Sequence, residues 1–179
     1  MPSATPARPP LHVVVMGVAG CGKSLCGGEL AARLGLPMVE GDDFHPEANV
    51  HKMRQGIALT DADRAGWLRQ LAAELRACPQ GAVLACSALK RSYRDIFRAA
   101  VPDVHFLHLT LTQRQALDRV ASRTDHFYPP SLVADQFATL QDPAGEPRVH
   151  AVDATLPVER IVQEATRWLV GAPPAFNNA

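Results

Sequence analysis

The octapeptide GVAGCGKS at residues 17–24 constrains this chain more than any other stretch. It fits G-x-x-x-x-G-K-[ST]. It follows directly on HVVVM (residues 12–16), a β-branched apolar run long enough for a buried strand, and it leads into a helix-like stretch over residues 24–34 closed by Gly35. Strand, glycine-rich turn and helix, in that order, form a phosphate cradle. The glycines let the backbone curl so that several N–H groups point inward, and the helix N-terminus adds partial positive charge. Gly17, Val18, Ala19, Gly20, Cys21, Gly22, Lys23 and Ser24 are therefore the expected nucleotide-binding residues. Lys23 is the group to reach the β- and γ-phosphates, and the Ser24 hydroxyl is the group to ligate Mg²⁺.

Strand-like and helix-like segments alternate through the rest of the chain. Strands are expected at PMVE (37–40), AVLACSA (82–88), VHFLHLTL (104–111) and RVHAVDA (148–154). Helices are expected at about 49–55, from a Thr60 or Asp61 cap to about 78, at 93–100, from a Thr112 cap to about 123, from a Ser131 cap to about 140, and at 158–170. The pattern predicts an α/β fold with a parallel sheet covered on both faces. Ligands in such sheets bind outside the carboxyl ends of the strands, and the informative polar residues do follow strands.

Several function classes are disfavoured at once. Lysine plus arginine number 18 and aspartate plus glutamate 18, so the net charge is zero and no bulk field favours nucleic acid or a membrane surface. No Asn/Thr-Lys-x-Asp motif of a guanine-selective switch is present. The third strand ends LACSA without the acid that motor-like ATPases use, so metal support falls to Glu40 and Asp42 after strand two. Cys21, Cys26, Cys78 and Cys86 form no CxxC pair and read as reduced, structural thiols of a cytoplasmic protein. Residues 1–10 and 171–179 read as disordered tails around one domain spanning 11–170, with no signal peptide or membrane span.

The stretch EGDDFHPEANVHKM (40–53) is compatible with a metal site, a sugar site or a solvated loop. His45 and His51 have no zinc-type spacing and no nearby cysteine, so a dedicated transition-metal site is disfavoured. Asp42, beside the phosphate loop, is placed to accept a hydrogen bond from an acceptor hydroxyl and orient it toward a γ-phosphorus. Arg119 and Arg123 are four apart and share a helix face.

The blocks MGVAGCGKS, EGDDFHPEANVHKM, LTDADRAGWL, ACSALKRSYRD and RTDHFYPPSLVADQFATLQDP occur in this order. Together they make the chain, from about residue 12 to 170, similar to the small, bacterial-type gluconokinases. These are P-loop kinases related to shikimate kinase and the nucleoside monophosphate kinases. The resemblance implies a three-layer sandwich with a five-stranded parallel sheet in the order 2-3-1-4-5 and a mobile lid at about 123–131. It implies transfer of the ATP γ-phosphoryl group to the 6-hydroxyl of D-gluconate, with Mg²⁺, and often a homodimer.

Lys23, Asp42 and Arg123 then become the expected catalytic residues, Arg123 reaching the phosphates as the lid closes. Arg119 is expected to stack on adenine, and the loop with Asp153 to pack against it. Asp42, His45, Lys52, Arg64, Lys90, Arg94, His126 and Gln136 are expected on the acceptor side, Arg64 foremost for the gluconate carboxylate because guanidinium binds carboxylate bidentately. Glu40, Gly66, Leu25 and Asp135 depart from the usual family residues at their positions. A kinase of another small acid such as shikimate, a nucleotide-binding module without turnover and a nucleic-acid-remodelling ATPase are the competing readings.

Overall fold

A computed structural model describes residues 9–123 and 128–171. Five strands, β1 (Leu11–Met16), β2 (Met38–Glu40), β3 (Gly81–Ala85), β4 (His105–Thr110) and β5 (Val149–Asp153), form one sheet in the order β2-β3-β1-β4-β5. Every pairing is parallel. This is the expected topology. The central strand β1 carries the phosphate loop at its carboxyl end.

Side chains alternate across β1, and that alternation builds two cores. Val13 and Val15 face one layer with Val83, Leu107 and Leu109; Val14 and Met16 face the other with Leu84 and Phe106. The first layer is closed by α1 (Lys23–Leu34) and α7 (Val158–Val170), through Leu30, Ala31, Ile161 and Ala165. The second is closed by α3 (Asp61–Arg76) and α4 (Arg91–Ala100), through Leu68, Leu71, Leu75 and Phe97. Burying each such leucine or phenylalanine contributes about 1.5–3 kcal/mol relative to leaving it exposed.

Local chemistry sets the helix starts. Thr60 and Asp63 form a reciprocal capping box at α3, and Thr112 and Gln115 form another at α5 (Gln113–Ala121). The short helix α2 (Glu47–Arg54) starts two residues earlier than its sequence suggests, because Pro46 supplies a preset φ just before it. The Ser131 cap is a correction. Residues Pro130–Leu132 form a 3₁₀ turn, and α6 (Val133–Thr139) begins behind Leu132 without a side-chain cap.

Among the described residues no helix is long and apolar enough to cross a membrane. The four cysteines are free.

Candidate active site

Two glycines make the phosphate loop possible. Gly22 sits at φ +94° as the residue before α1, and Gly20 at φ +83°. A Cβ on Gly20 would lie 2.8 Å from the Ala116 carbonyl of α5, so the loop is pressed against that helix where a side chain cannot fit. The start of α1 has no side-chain cap and no acidic residue in its first turn. Its first-turn N–H groups are left for an anion. Lys23 folds back over the loop and donates to the Val18 carbonyl at 3.1 Å.

A cavity of about 520 Å³ opens in front of this loop. Ala19, Gly20, Gly22, Lys23 and Ser24 form its floor. Asp42 and His45 enter from the segment after β2, Arg64 and Trp67 from α3, Arg119 and Arg123 from α5 and its end, and Gln136 from α6. Gly17, Val18 and Cys21 of the loop lie behind the floor, with Val18 and Cys21 packed in the core. Cations thus line one cavity with two carboxylates, Asp42 after β2 and Asp135 beside Gln136, which suits phosphate at one end and a hydroxyl acceptor at the other.

The segment after β2 is a 3₁₀ turn, Gly41–Phe44. Glu40 caps it, accepting the Asp42 N–H at 3.4 Å, and does not line the cavity. Exposed Asp43 does not cap the turn. His45 stacks on Trp67 with ring centroids 4.0 Å apart, and the Trp67 indole N–H donates to the Gly41 carbonyl at 2.8 Å. Trp67 therefore holds both ends of the turn that presents Asp42. Burial pushes the His45 imidazole down to about 4, so it is neutral near pH 7; the nearby Asp42 opposes that shift and Arg64 adds to it.

Arg64 is only 6% exposed, and its Nε has no hydrogen-bond partner among the described residues. Its guanidinium lies 5.7 Å from the Tyr93 ring centroid. A buried cation on a cavity wall with an unmet donor has the chemistry to take an anion.

Four residues expected in the site stand elsewhere. Arg94 is a correction: it is fully buried, and all five of its donors are taken. They go to both Glu146 oxygens, at 3.0 and 2.6 Å, and to the carbonyls of Ala88, Leu89 and Gln141. It fastens the loop after β3, including Ala88 at φ +45°, to the 141–146 segment. Lys52 pairs with Asp63 at 2.7 Å and Lys90 with Asp61 at 2.8 Å, both off the cavity wall. Asp153 accepts from the Thr155 N–H and hydroxyl and does not line the cavity. His126, and with it residues 124–127 of the lid expected at about 123–131, lies outside the described residues. Arg119 donates to the Ala154 carbonyl at 2.8 Å, placing its guanidinium between the phosphate loop and the loop after β5.

Sequence reading missed Tyr128, Ser87, Leu59, Met53 and the cavity face of Trp67. The signal for Trp67 was available: it is three residues from Arg64, on the same face of α3. Among the described residues no group of three or more His, Cys, Asp or Glu side chains gathers to hold a metal. What the site offers a cation is sparse oxygen chemistry, the exposed Ser24 hydroxyl with Asp42 in the same cavity. That fits Mg²⁺ carried in with phosphates and mostly hydrated.

Acid should weaken this fold in two steps. His45 takes up no proton in the folded state until about pH 4, whereas the unfolded chain does so near 6.5. Stability is therefore full above that value and lost as pH falls from 6.5 to 4, by about 3 kcal/mol at most. Glu146, held down to about 2 by its hydrogen bonds to Arg94 and then Arg98, adds a second loss between pH 4.5 and 2. Urea unfolding across pH should show both limbs, with His45→Gln flattening the upper one; an unchanged upper limb would clear His45 of that role.

A five-stranded parallel sheet in this order, with a phosphate loop and the Asp42 carboxylate sharing one cavity, is the architecture of a P-loop kinase acting on a small molecule. No protein-family profile matches the chain. Individual relatives do. The gluconokinase of Gluconobacter oxydans is 43% identical over 161 residues, covering 88% of this chain and 90% of that one. The crystal structure of a gluconokinase from Sinorhizobium meliloti superposes with a TM-score of 0.83 at 44% identity, over 91% of this chain and 94% of that one. Shikimate kinase from Aquifex aeolicus shares the fold, with a TM-score of 0.63 at 15% identity over 90% of this chain and 97% of that one. The chain belongs to the gluconokinase family.

Proposed function

We propose that this protein is a cytoplasmic, ATP-dependent gluconokinase that phosphorylates the 6-hydroxyl of D-gluconate, giving 6-phospho-D-gluconate and ADP. The observation that carries the substrate side is Arg64: a buried guanidinium with an unmet Nε donor, in the same cavity as Lys23, Ser24 and Asp42. Gluconate is an anionic polyol, and it supplies both what Arg64 lacks and hydroxyls for the polar wall.

ATP lies with its phosphates on the loop floor, Lys23 at the β- and γ-oxygens and the purine toward Arg119 and the loop with Asp153. Gluconate lies between the Asp42 turn and α3, its carboxylate on Arg64 and a hydroxyl on neutral His45. Asp42 accepts the hydrogen bond of the 6-hydroxyl and aims its oxygen at the γ-phosphorus. The new P–O bond forms as the bond to the β-phosphate oxygen breaks, and the hydroxyl proton passes to Asp42. Arg123, at the end of α5, stabilises the charge spread over the transferring group. Ser24 would hold Mg²⁺, with Asp42 reaching it through water, and the ion would neutralise β- and γ-phosphate charge. Enclosure of the cavity by the segment near 123–131 excludes water, a competing acceptor. A homodimer, and the absence of nucleic-acid and membrane partners, complete the reading.

Phosphorus NMR of the enzyme with Mg·ATP and D-gluconate tests it. A phosphomonoester and ADP should appear in equal amounts. ADP with inorganic phosphate alone would mean hydrolysis without an acceptor, and no change would favour a nucleotide-binding module.

A further inference from the structure

Gln136 was expected to touch the acceptor, yet its side-chain oxygen has another partner. Oε1 accepts the Ala19 N–H of the phosphate loop at 2.6 Å, from 117 residues away. The side chain is 7% exposed and forms part of the cavity wall. Lys23 and Arg119 also touch the loop, but they hold carbonyls, those of Val18 at 3.1 Å and Gly20 at 3.4 Å. Gln136 instead takes an N–H, the kind of group that binds phosphate. It thereby fixes the Val18–Ala19 peptide plane, one residue before Gly20, which turns the loop at φ +83°.

Glutamine suits this task. A neutral amide oxygen satisfies the N–H without placing a negative charge beside the phosphates, which a glutamate would do.

We propose that Gln136 is a positioning residue for the phosphate loop, holding it in its nucleotide-binding shape. This rests on nucleotide binding at the loop, one part of the proposed function, and the Mg·ADP measurement below needs no turnover of gluconate. A protein inert toward gluconate would count against the function and leave this inference standing.

The test is calorimetric binding of Mg·ADP, without acceptor, to the wild type, Gln136→Met and Gln136→Glu. Loss of a buried hydrogen bond predicts affinity weakened about five- to tenfold in Gln136→Met. Gln136→Glu keeps an acceptor for the Ala19 N–H but sets a negative charge beside the phosphates, and should weaken affinity about tenfold or more. Where gluconate is turned over, its KM at saturating ATP should stay within about twofold of wild type in Gln136→Met, since the bond it removes serves the loop. Unchanged Mg·ADP affinity in Gln136→Met would overturn the proposal, and a raised gluconate KM beside it would make Gln136 an acceptor ligand. If Gln136→Met fails to fold, Gln136→Glu decides, and unchanged Mg·ADP affinity there overturns it.

Discussion

Replacing Asp42 by asparagine should lower kcat on gluconate about 10²- to 10⁴-fold, the usual contribution of a positioned general base. The KM for ATP should stay within about threefold, because the phosphate floor is built by other residues. Asparagine keeps the shape of the side chain and the turn that Glu40 and Trp67 hold. It loses the negative charge that draws the hydroxyl proton. The effect should therefore fall on kcat rather than on either KM. An Asp42→Asn enzyme with unchanged kcat would remove this carboxylate from the mechanism.

Arg64→Met should raise the gluconate KM about 100-fold, within the 2–5 kcal/mol range for truncating one partner of a buried, hydrogen-bonded charge pair. Stability should move the other way. In the absence of ligand Arg64 is buried with an unmet donor, a cost that folding bears for the sake of binding. Methionine fills similar volume without that cost, so thermal unfolding of the unliganded variant should occur at an unchanged or higher temperature. A variant that binds gluconate normally, or one that loses stability and affinity together, would show that Arg64 serves the fold instead.

The alternation of strands and helices was legible in the apolar pattern, but the sheet order only through resemblance to a known family. The floor of the site was legible because a strand, a glycine loop and a helix follow one another within about two dozen residues. Asp42, His45 and Arg64 lie within short, distinctive blocks and do reach the cavity. The charged residues that strayed share one cause. Arg94 meets Glu146 across 52 positions, Lys90 meets Asp61 across 29, and Lys52 meets Asp63 across 11. A sequence displays each cation but not the carboxylate that has already engaged it. Gln136 does line the cavity, but its oxygen is engaged by a backbone N–H 117 positions away, which a sequence likewise does not display. Trp67 was hidden by its own spacing, since one helical face can serve a core and a cavity rim together.

The most direct test is the steady-state rate of ADP formation with Mg·ATP and a panel of acceptors: D-gluconate, shikimate and several other sugar acids. D-Gluconate should give the highest kcat/KM on the panel, and shikimate should give no turnover above the acceptor-free rate. Turnover with shikimate and none with D-gluconate would contradict the account at its centre.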